Sequence, residues 1–310
     1  MIEALKQEAL LHGNKLQVLP IKHLQTIKNE IDFFKANEEL NGFHEWIIKN
    51  LYSFDLPKVD FAIKSIILVA IPHPTYAKLE FERQDKRCNA FGIVMSDFES
   101  TEKYIKDYLI SKDYHIEPVW NIPMKRMAAQ CGLAVYGRNN ICYIEDMGSN
   151  FSFAAYYSDI PCEDDNWNKM SYAKACEDCR ACINNCPTGA IRSDRFLIDN
   201  DRCLSCLNEG TEEFPEWLPK SVHHCLYDCL KCQLICPMNK EYESNVRSPI
   251  KFDEKETDML LEGIPYNEYS DELKLKVKIL GMAEWSESTK AIPRNLRVLF
   301  EISEGDGINK

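Results

Sequence analysis

The feature that most constrains this chain is a cluster of cysteines. Ten of its 14 cysteines lie between Cys176 and Cys236, in a chain of 310 residues. The N-terminus has no basic segment leading into an apolar one, and the longest nearly unbroken apolar run, near Ile66, is far shorter than the roughly 20 residues of a membrane span. We therefore expect a cytoplasmic protein without membrane contact, in which clustered thiols ligate metal and do not form disulfides. The remaining cysteines are expected to be small buried hydrophobes: Cys88, Cys131, Cys142 and Cys162.

Two segments of the cysteine zone repeat one pattern. "CRACINNCPTG" begins at Cys179 and "CLKCQLICPMN" begins at Cys229, and both read Cys, two residues, Cys, three residues, Cys-Pro. Two-cluster ferredoxins use this pattern, because closely spaced cysteines hold one [4Fe-4S] cluster while the cysteine before the proline reaches the other. The proline, which has no N–H and a fixed φ, then redirects the chain. The paired Cys-Pro motifs favour this arrangement over a zinc ribbon. We expect no radical-SAM enzyme, because such an enzyme needs a large barrel downstream of its cysteines and this sequence continues only from Cys236 to Lys310.

The repeat predicts that each cluster takes ligands from both copies. The first cluster is predicted to be bound by Cys176, Cys179, Cys182 and Cys236. The second is predicted to be bound by Cys186, Cys229 and Cys232, and it then lacks a fourth ligand. Spacing alone leaves three candidates for that position, Cys203, Cys206 and Cys225.

The remaining pattern predicts an α+β protein in three parts. Residues 1–170 are expected to form a mixed α/β domain, residues 171–245 a ferredoxin-like domain of the bacterial two-[4Fe-4S] type, and residues 246–310 a short helical C-terminal tail. Within the first part, "KSIILVAIP" indicates a buried strand and "PMKRMAAQCGL" a helix. The segments "NNICYIED" and "FSFAAYYSDI", on either side of the turn "MGSN", indicate a β-hairpin.

Charge argues against a nucleic-acid partner. The formal net charge is −12 and the pI is about 5.2. Nucleic-acid affinity depends mainly on Lys and Arg that neutralise phosphates. We therefore expect no nucleic-acid partner, although a local basic patch is compatible with this total.

A longer segment carries a family resemblance. The run "MAAQCGLAVYGRNNICYIEDMGSNFSFAAYYSDIPC", followed by the cysteine zone, resembles the cobalamin-dependent epoxyqueuosine reductases and their relatives, the reductive dehalogenases. In those families a glycine-rich segment, a Gly-Ser hairpin and an Asp-Leu-Pro-like strand end precede a paired [4Fe-4S] module. The resemblance implies that the N-terminal domain holds a cobalamin, and it has a weaker echo at "KAIPRNLRVLF".

The resemblance assigns site residues by position. The segment that contacts the corrinoid matches Gly132, Gly137, Arg138 and Asn139, and the hairpin of the family matches Gly148 and Ser149. The stretch "DNDRCLSCLNEG" is similar to the family segment that supplies one cluster ligand, so the resemblance selects Cys203 as the fourth ligand of the second cluster. It leaves Cys206 and Cys225 as extra thiols of unknown role.

Two departures from the family concern catalysis. The aspartate taken as proton donor in epoxyqueuosine reductases falls on Pro118 here, and the nearest carboxylate, Glu117, is the candidate that remains. The stretch "DYHIEP" is similar to a motif in which a histidine ligates cobalt, but Pro118 replaces its glycine. His115 is therefore expected to be structural, and cobalamin is expected to bind base-off, without a histidine ligand.

Together these features predict a cobalamin-dependent reductase. Its two [4Fe-4S] clusters would deliver electrons to a corrinoid that reduces an unidentified substrate, with the protein supplying binding, orientation and a proton. It would be epoxyqueuosine-reductase-like without acting on tRNA, and a ferredoxin or flavodoxin would be its electron donor. The alternative is an iron–sulfur electron-transfer or corrinoid-handling protein that has no substrate of its own.

Overall fold

A computed structural model of the protein describes most of the chain. The described residues are 1–37, 40–163, 165–170, 172–282 and 288–305. The chain forms two compact units, and each unit combines two separated pieces of sequence. The first unit is Met1–His73 with Ser96–Cys179, and the second is Pro74–Met95 with Arg180–Lys310. The division into three parts expected from the sequence stays a prediction.

Strands and helices are distributed over both units. The strands in chain order are β1 Lys15–Pro20, β2 Ser65–Pro72, β3 Tyr76–Arg83, β4 Lys86–Gly92, β5 Ile116–Val119, β6 Val135–Tyr136, β7 Cys142–Tyr143, β8 Phe151–Ser158 and β9 Val246–Phe252. The helices are α1 Ile2–Leu11, α2 Lys22–Asn37, α3 Gly42–Trp46, α4 Phe98–Ile110, α5 Met124–Gln130, α6 Ala181–Asn185, α7 Leu204–Glu209, α8 Lys231–Leu234, α9 Glu254–Glu262, α10 Asp271–Ile279 and α11 Ser288–Gly305.

The first unit is built on a four-stranded antiparallel sheet in the order β1-β2-β8-β5. Strand β2 is buried along its length except at Pro72, as expected for a continuous apolar strand that is covered on both faces. Leu68 of β2 lies opposite Gln17 on one side and Ala155 on the other. The predicted buried strand is therefore confirmed. The predicted helix is confirmed as well, as α5, Met124–Gln130.

The hairpin predicted around the "MGSN" turn is wrong. Strand β7 pairs with β6, whereas β8 pairs with β2 and β5. The turn itself forms, since the Asn150 amide donates to the Met147 carbonyl at 3.1 Å. The C-terminal half of β8 is buried, so this strand is stabilised by a central position in the sheet and not by a two-stranded hairpin.

The second unit contains a three-stranded sheet in which β3 pairs antiparallel with β4 and parallel with β9. Phe81 and Phe252 stack in its core, with ring centroids 4.6 Å apart. Helix α9 has a capping box between Asp253 and Glu256, and it ends at Gly263, whose φ is +69°. The expected short helical tail is thus corrected, because residues from 246 onward supply a strand and helices to a hydrophobic core.

Candidate functional site

The two Cys-Pro repeats adopt matching local structures. Cys182 lies on α6 and Cys232 lies on α8, and a loop residue precedes the proline in each copy. Cys186 has φ −74° and ψ 113°, and Cys236 has φ −70° and ψ 125°. Both values are the extended conformation that a following proline imposes. The proline therefore sets the direction of the thiol that precedes it in the same way in both copies.

Cys229 lies near two of the other cysteines predicted for the second cluster, Cys203 and Cys186. Burial raises the pKa of the Cys229 thiol to about 12, and its neighbours Cys203 and Cys186 act in the same direction. Cys203 is the N-cap residue of α7. A hydrogen bond with the Cys206 side chain lowers the pKa of the Cys203 thiol to about 7. The structure thus brings the resemblance-selected Cys203 beside the cysteines that spacing had assigned.

The two extra thiols differ in their surroundings. Cys225 is 1% exposed, and its backbone bridges Phe91 of the β3–β4 hairpin. Burial raises the pKa of Cys225 well above its usual value. Cys206 is half-buried on α7, next to Cys203. Cys225 therefore packs as part of the core, whereas Cys206 lies beside a predicted ligand.

The cysteines predicted for the first cluster are divided between the units along the chain. Cys176 and Cys179 end the first unit, while Cys182 and Cys236 belong to the second. Cys176 closes a short 3₁₀ helix, Lys174–Cys176. Over the described ranges, no three His, Cys, Asp or Glu side chains converge closely enough to hold a single metal ion. The first ligand set stays a prediction from spacing.

Glycines shape the loop that the resemblance assigned to the corrinoid. Gly132 follows α5 with φ +75°, and a Cβ placed there would meet no atom within 4 Å. A Cβ on Gly137 would lie 2.6 Å from Cε2 of Tyr143 and 2.7 Å from Oδ1 of Asn139. Gly137 is therefore required for packing inside the loop, whereas Gly132 borders open space.

The polar residues of this loop are used mainly by the loop itself. Asn139 is buried, its Nδ2 donates to Tyr143 Oη at 2.9 Å, and its Oδ1 accepts from the Ile141 amide at 3.3 Å. Arg138 Nη2 donates to the carbonyl of Cys176 at 2.5 Å. Its Nε is buried and has no hydrogen-bond partner in the described part of the chain. Arg138 thus links the loop to a predicted cluster ligand and keeps one donor for a further group.

The remaining candidates lie on the neighbouring turn and strand. Gly148 has φ +60°, which allows the tight turn back to Ile144, and Ser149 is buried directly after it. Glu117 is half-buried on β5, opposite Tyr157. His115 bonds Asp159 through Nδ1 at 2.8 Å on the surface, and its structural role stays a prediction.

A polar contact network near the predicted ligands of the second cluster was missed by the sequence analysis. Arg294 and Asn295 of α11 donate to backbone carbonyls of the segments that carry Cys203 and Cys229. The only signal in the sequence was the family echo at "KAIPRNLRVLF". It identified the segment but gave no indication of what the two side chains contact.

The comparison with known families supports the cluster domain. Residues 175–239 match the family described as a 4Fe-4S double cluster binding domain. Over 197 residues the chain is 27% identical to the epoxyqueuosine reductase of Aliivibrio fischeri, a match that covers 55% of this chain and 52% of that protein. The chain thus spans about half the length of this curated relative.

Solved structures extend the likeness to nearly the whole chain. An epoxyqueuosine reductase structure from Bacillus subtilis, in which a catalytic aspartate loop is swung out of the active site, has a TM-score of 0.68 and 20% identity and covers 99% of this chain and 84% of that chain. An epoxyqueuosine reductase solved with an epoxyqueuosine-modified tRNA-Tyr stem loop has a TM-score of 0.68 and 21% identity, with coverage of 97% and 81%. These matches show a shared mixed α/β fold. The chain is epoxyqueuosine-reductase-like and carries a double [4Fe-4S] domain.

Two expectations about function are corrected by these findings. The predicted reductase that does not act on tRNA is wrong, because the relatives are epoxyqueuosine reductases and one structural neighbour was solved with an epoxyqueuosine-modified tRNA stem loop. The expectation of no nucleic-acid partner is wrong too, because one neighbour was solved with a tRNA stem loop. The physical reason is that a net charge of −12 is a sum over the chain and does not determine the charge of one face. No helix in the described ranges is long and apolar enough to span a bilayer.

Proposed function

We propose that this protein is an iron–sulfur oxidoreductase of the epoxyqueuosine reductase type, which reduces the epoxide of a modified nucleoside in tRNA. One combination of features carries the proposal. A double-cluster domain at residues 175–239 occurs in a chain whose fold matches a reductase solved with a modified tRNA stem loop. The proposed substrate class is therefore a structured RNA that presents one epoxide-bearing base.

The electron requirement suits two clusters. Reduction of an epoxide consumes two electrons, and each [4Fe-4S] cluster passes one electron at a time. We assign the first cluster to Cys176, Cys179, Cys182 and Cys236. We assign the second to Cys186, Cys203, Cys229 and Cys232. A chain with both clusters reduced would hold the two electrons of one turnover.

The chemistry of the thiols supports the second ligand set. Clusters are bound by thiolates and not by thiols. The hydrogen bond from Cys206 favours the thiolate of Cys203, and Cys203 and Cys186 each lie close enough to Cys229 to influence its pKa. A bound cluster would supply the positive charge that offsets the burial of these thiolates.

Cobalamin is the finer part of the proposal. Gly132 borders open space, and the buried Nε of Arg138 is a donor without an acceptor among the described residues. These two features fit an acidic or amide group of a bound cofactor or substrate. Asn139, Gly137 and Tyr143 fit a supporting role, since they pack against one another. A corrinoid bound here would supply low-potential electron transfer to the epoxide. Glu117 is proposed as the acid that protonates the epoxide oxygen.

A nucleoside assay tests the proposal. The clusters would be reconstituted anaerobically, reduced with dithionite and incubated with tRNA carrying epoxyqueuosine, with and without cobalamin. Digestion and mass spectrometry would then measure loss of the epoxide nucleoside. Controls are tRNA without the modification and the Cys203→Ser variant. We expect loss of the epoxide only with the modified tRNA and wild-type protein, and tRNA binding that weakens steeply with salt.

The opposite result would favour the alternative function. Clusters that are reduced and reoxidised normally, beside an unchanged nucleoside with and without cobalamin, would indicate an electron carrier. If turnover occurs equally with and without cobalamin, the corrinoid part of the proposal fails while the tRNA reductase stands.

A further inference from the structure

Two buried amides connect the segments that carry ligands of the second cluster. Asn208 is 0% exposed and Asn295 is 1% exposed. Asn295 Nδ2 donates to the carbonyl of Asn208 at 2.8 Å and to that of Leu226 at 2.9 Å. Asn208 Nδ2 donates to the carbonyl of Asp228 at 2.8 Å. Both amide groups therefore join α7 to the segment that runs into Cys229.

Arg294 adds three more carbonyl contacts to the same region. Its Nη2 donates to the carbonyls of Leu207 at 2.7 Å and Asn208 at 3.3 Å, and its Nη1 donates to the carbonyl of Glu212. The guanidinium carbon lies 3.8 Å from the centre of the Phe214 ring. The carbonyls of the last turn of a helix have no partner within the helix, and a cation is favoured at that end. Arg294 thus terminates α7 and fixes the chain that follows it.

These contacts act on the ligand segments within one helical turn. Cys203 begins α7, and its carbonyl accepts from the Leu207 amide at 2.9 Å. Leu207 and Asn208 are the residues whose carbonyls Arg294 and Asn295 hold. On the other segment, Leu226 lies three residues before Cys229 and Asp228 directly precedes it. The network therefore fixes the backbone next to Cys203 and next to Cys229 relative to α11.

Packing alone does not explain the choice of these residues. The neighbours of Asn295 on α11, Leu296 and Ile292, are buried apolar side chains, so an apolar residue would suit the helix at this position. A buried amide costs free energy unless its hydrogen bonds are made. Here both protons of Asn295 Nδ2 are used on backbone next to predicted cluster ligands.

We propose that Arg294 and Asn295 are positioning residues for the second [4Fe-4S] cluster. They hold the Cys203 and Cys229 segments at the separation that the cluster requires, and the charge of Arg294 keeps the reduction potential of this cluster higher than it would otherwise be. A positive charge stabilises the reduced, more negative cluster, and cluster potentials respond to net charge and hydrogen bonding. The proposal rests on the ligand set given under the proposed function and does not depend on the substrate.

The test compares matched substitutions on one helix. Arg297 also lies on α11, but its Nη2 donates to the carbonyl of Leu261 at 2.8 Å, outside the ligand segments. The variants are Arg294→Gln, Arg294→Lys, Asn295→Leu and the control Arg297→Gln. Each would be reconstituted anaerobically and measured for iron per chain and for the potential of each cluster, by redox titration followed by EPR. The first cluster in the same molecule is the internal reference.

We expect the effects to be confined to the second cluster. Arg294→Gln lowers the reduction potential of the second cluster relative to the first. Arg294→Lys reverses most of that shift, and Arg297→Gln changes the potential of neither cluster. Asn295→Leu loses about half of the iron, because one of two four-iron clusters is no longer held, and the first cluster's signal stays.

Other outcomes would overturn the proposal. An equal shift in Arg294→Gln and Arg297→Gln would indicate a general charge effect, and no shift in either would remove Arg294 from any role toward the cluster. Loss of both clusters in Asn295→Leu would show that the amide supports only the fold. Loss of neither cluster would show that the amide supports nothing at all. If Asn295→Leu does not fold, the comparison of Arg294 with Arg297 decides. None of these measurements uses tRNA, so failure here is distinct from failure of the proposed function.

Discussion

The two Cys-Pro repeats share their spacing and differ in what surrounds them. Cys186 and Cys236 have nearly the same backbone dihedral angles. In the first copy, Asn185 precedes the Cys-Pro pair and donates through Nδ2 to the carbonyl of Lys231, at 2.7 Å. The matching residue of the second copy is Ile235, which is apolar and 44% exposed. The spacing therefore sets the direction of the thiols, while the residue before the Cys-Pro pair bonds the other copy in the first repeat and is an exposed apolar residue in the second.

The exits from the two repeats also differ. Gly189 follows the first Cys-Pro with φ +69°. In the second copy the corresponding Asn239 lies within the 3₁₀ helix Pro237–Tyr242, and its Nδ2 donates to the carbonyl of Gln233 at 2.9 Å. The first copy thus ends in a turn that glycine permits, and the second ends in a turn that a side-chain hydrogen bond fixes. We expect the two clusters to have unequal stability and potential, because different contacts hold the backbone next to their ligands.

The largest effect should come from removing the fourth ligand assigned to the second cluster, Cys203. In Cys203→Ser we expect loss of the second cluster, with about half of the iron lost and epoxide reduction abolished, because a serine hydroxyl replaces a thiolate. Iron analysis and EPR of the reduced protein measure this.

The matched control for Cys203 is Cys225→Ala, which removes a thiol that is 1% exposed. It should retain both clusters at some cost in stability. If Cys225→Ala lost the second cluster while Cys203→Ser kept it, the fourth ligand would be Cys225 and the assignment would be wrong.

A smaller effect should follow from breaking the link between the copies. Asn185→Leu removes the donor to the half-buried Lys231 carbonyl, and leaving this acceptor unpaired costs up to about 3 kcal/mol. Chemical denaturation of the reconstituted protein should show this loss. The reciprocal change Ile235→Asn, at an exposed position, should alter the free energy of unfolding by less than about 0.5 kcal/mol. Equal losses in the two variants would mean that the repeats are equivalent after all.

The smallest effect should come from the exit turn of the first copy. At Gly189 a Cβ would meet no atom within 4 Å, so Gly189→Ala introduces no clash and costs only the left-handed backbone, about 1–2 kcal/mol. Thermal unfolding should show this modest destabilisation while iron content stays at the wild-type level. A loss of iron in Gly189→Ala would show that this turn sets the cluster geometry directly.

Local pattern was sufficient to predict the cluster domain and the central strand. The spacing of the cysteines is itself the geometric requirement of the cofactor, so the repeat at Cys179 and Cys229 could be interpreted without any tertiary structure. Strand β2 is apolar at nearly every position, which a strand buried on both faces requires. The fourth ligand could not be derived from spacing, because Cys203 reaches its neighbours only through the placement of α7.

Features that depend on tertiary placement could not be predicted. Strand β8 follows a turn and therefore suggested a hairpin, but its pairing with β2 and β5 is decided by burial in the sheet. The carbonyl contacts of Arg294 join residues more than 80 positions apart. The net charge gave a wrong expectation about tRNA, because composition does not report how charges are distributed over a surface.

A single-turnover reaction tests most directly whether cluster electrons reduce a nucleoside in tRNA. Protein with both clusters reduced would be freed of excess reductant, mixed anaerobically with an excess of tRNA carrying epoxyqueuosine, and assayed for the reduced nucleoside by mass and for cluster oxidation by EPR. We expect about one nucleoside reduced for each chain that loses two electrons, and none with Cys203→Ser. Clusters that stay reduced in the presence of the tRNA, or that are oxidised without any change in the nucleoside, would contradict the proposed function.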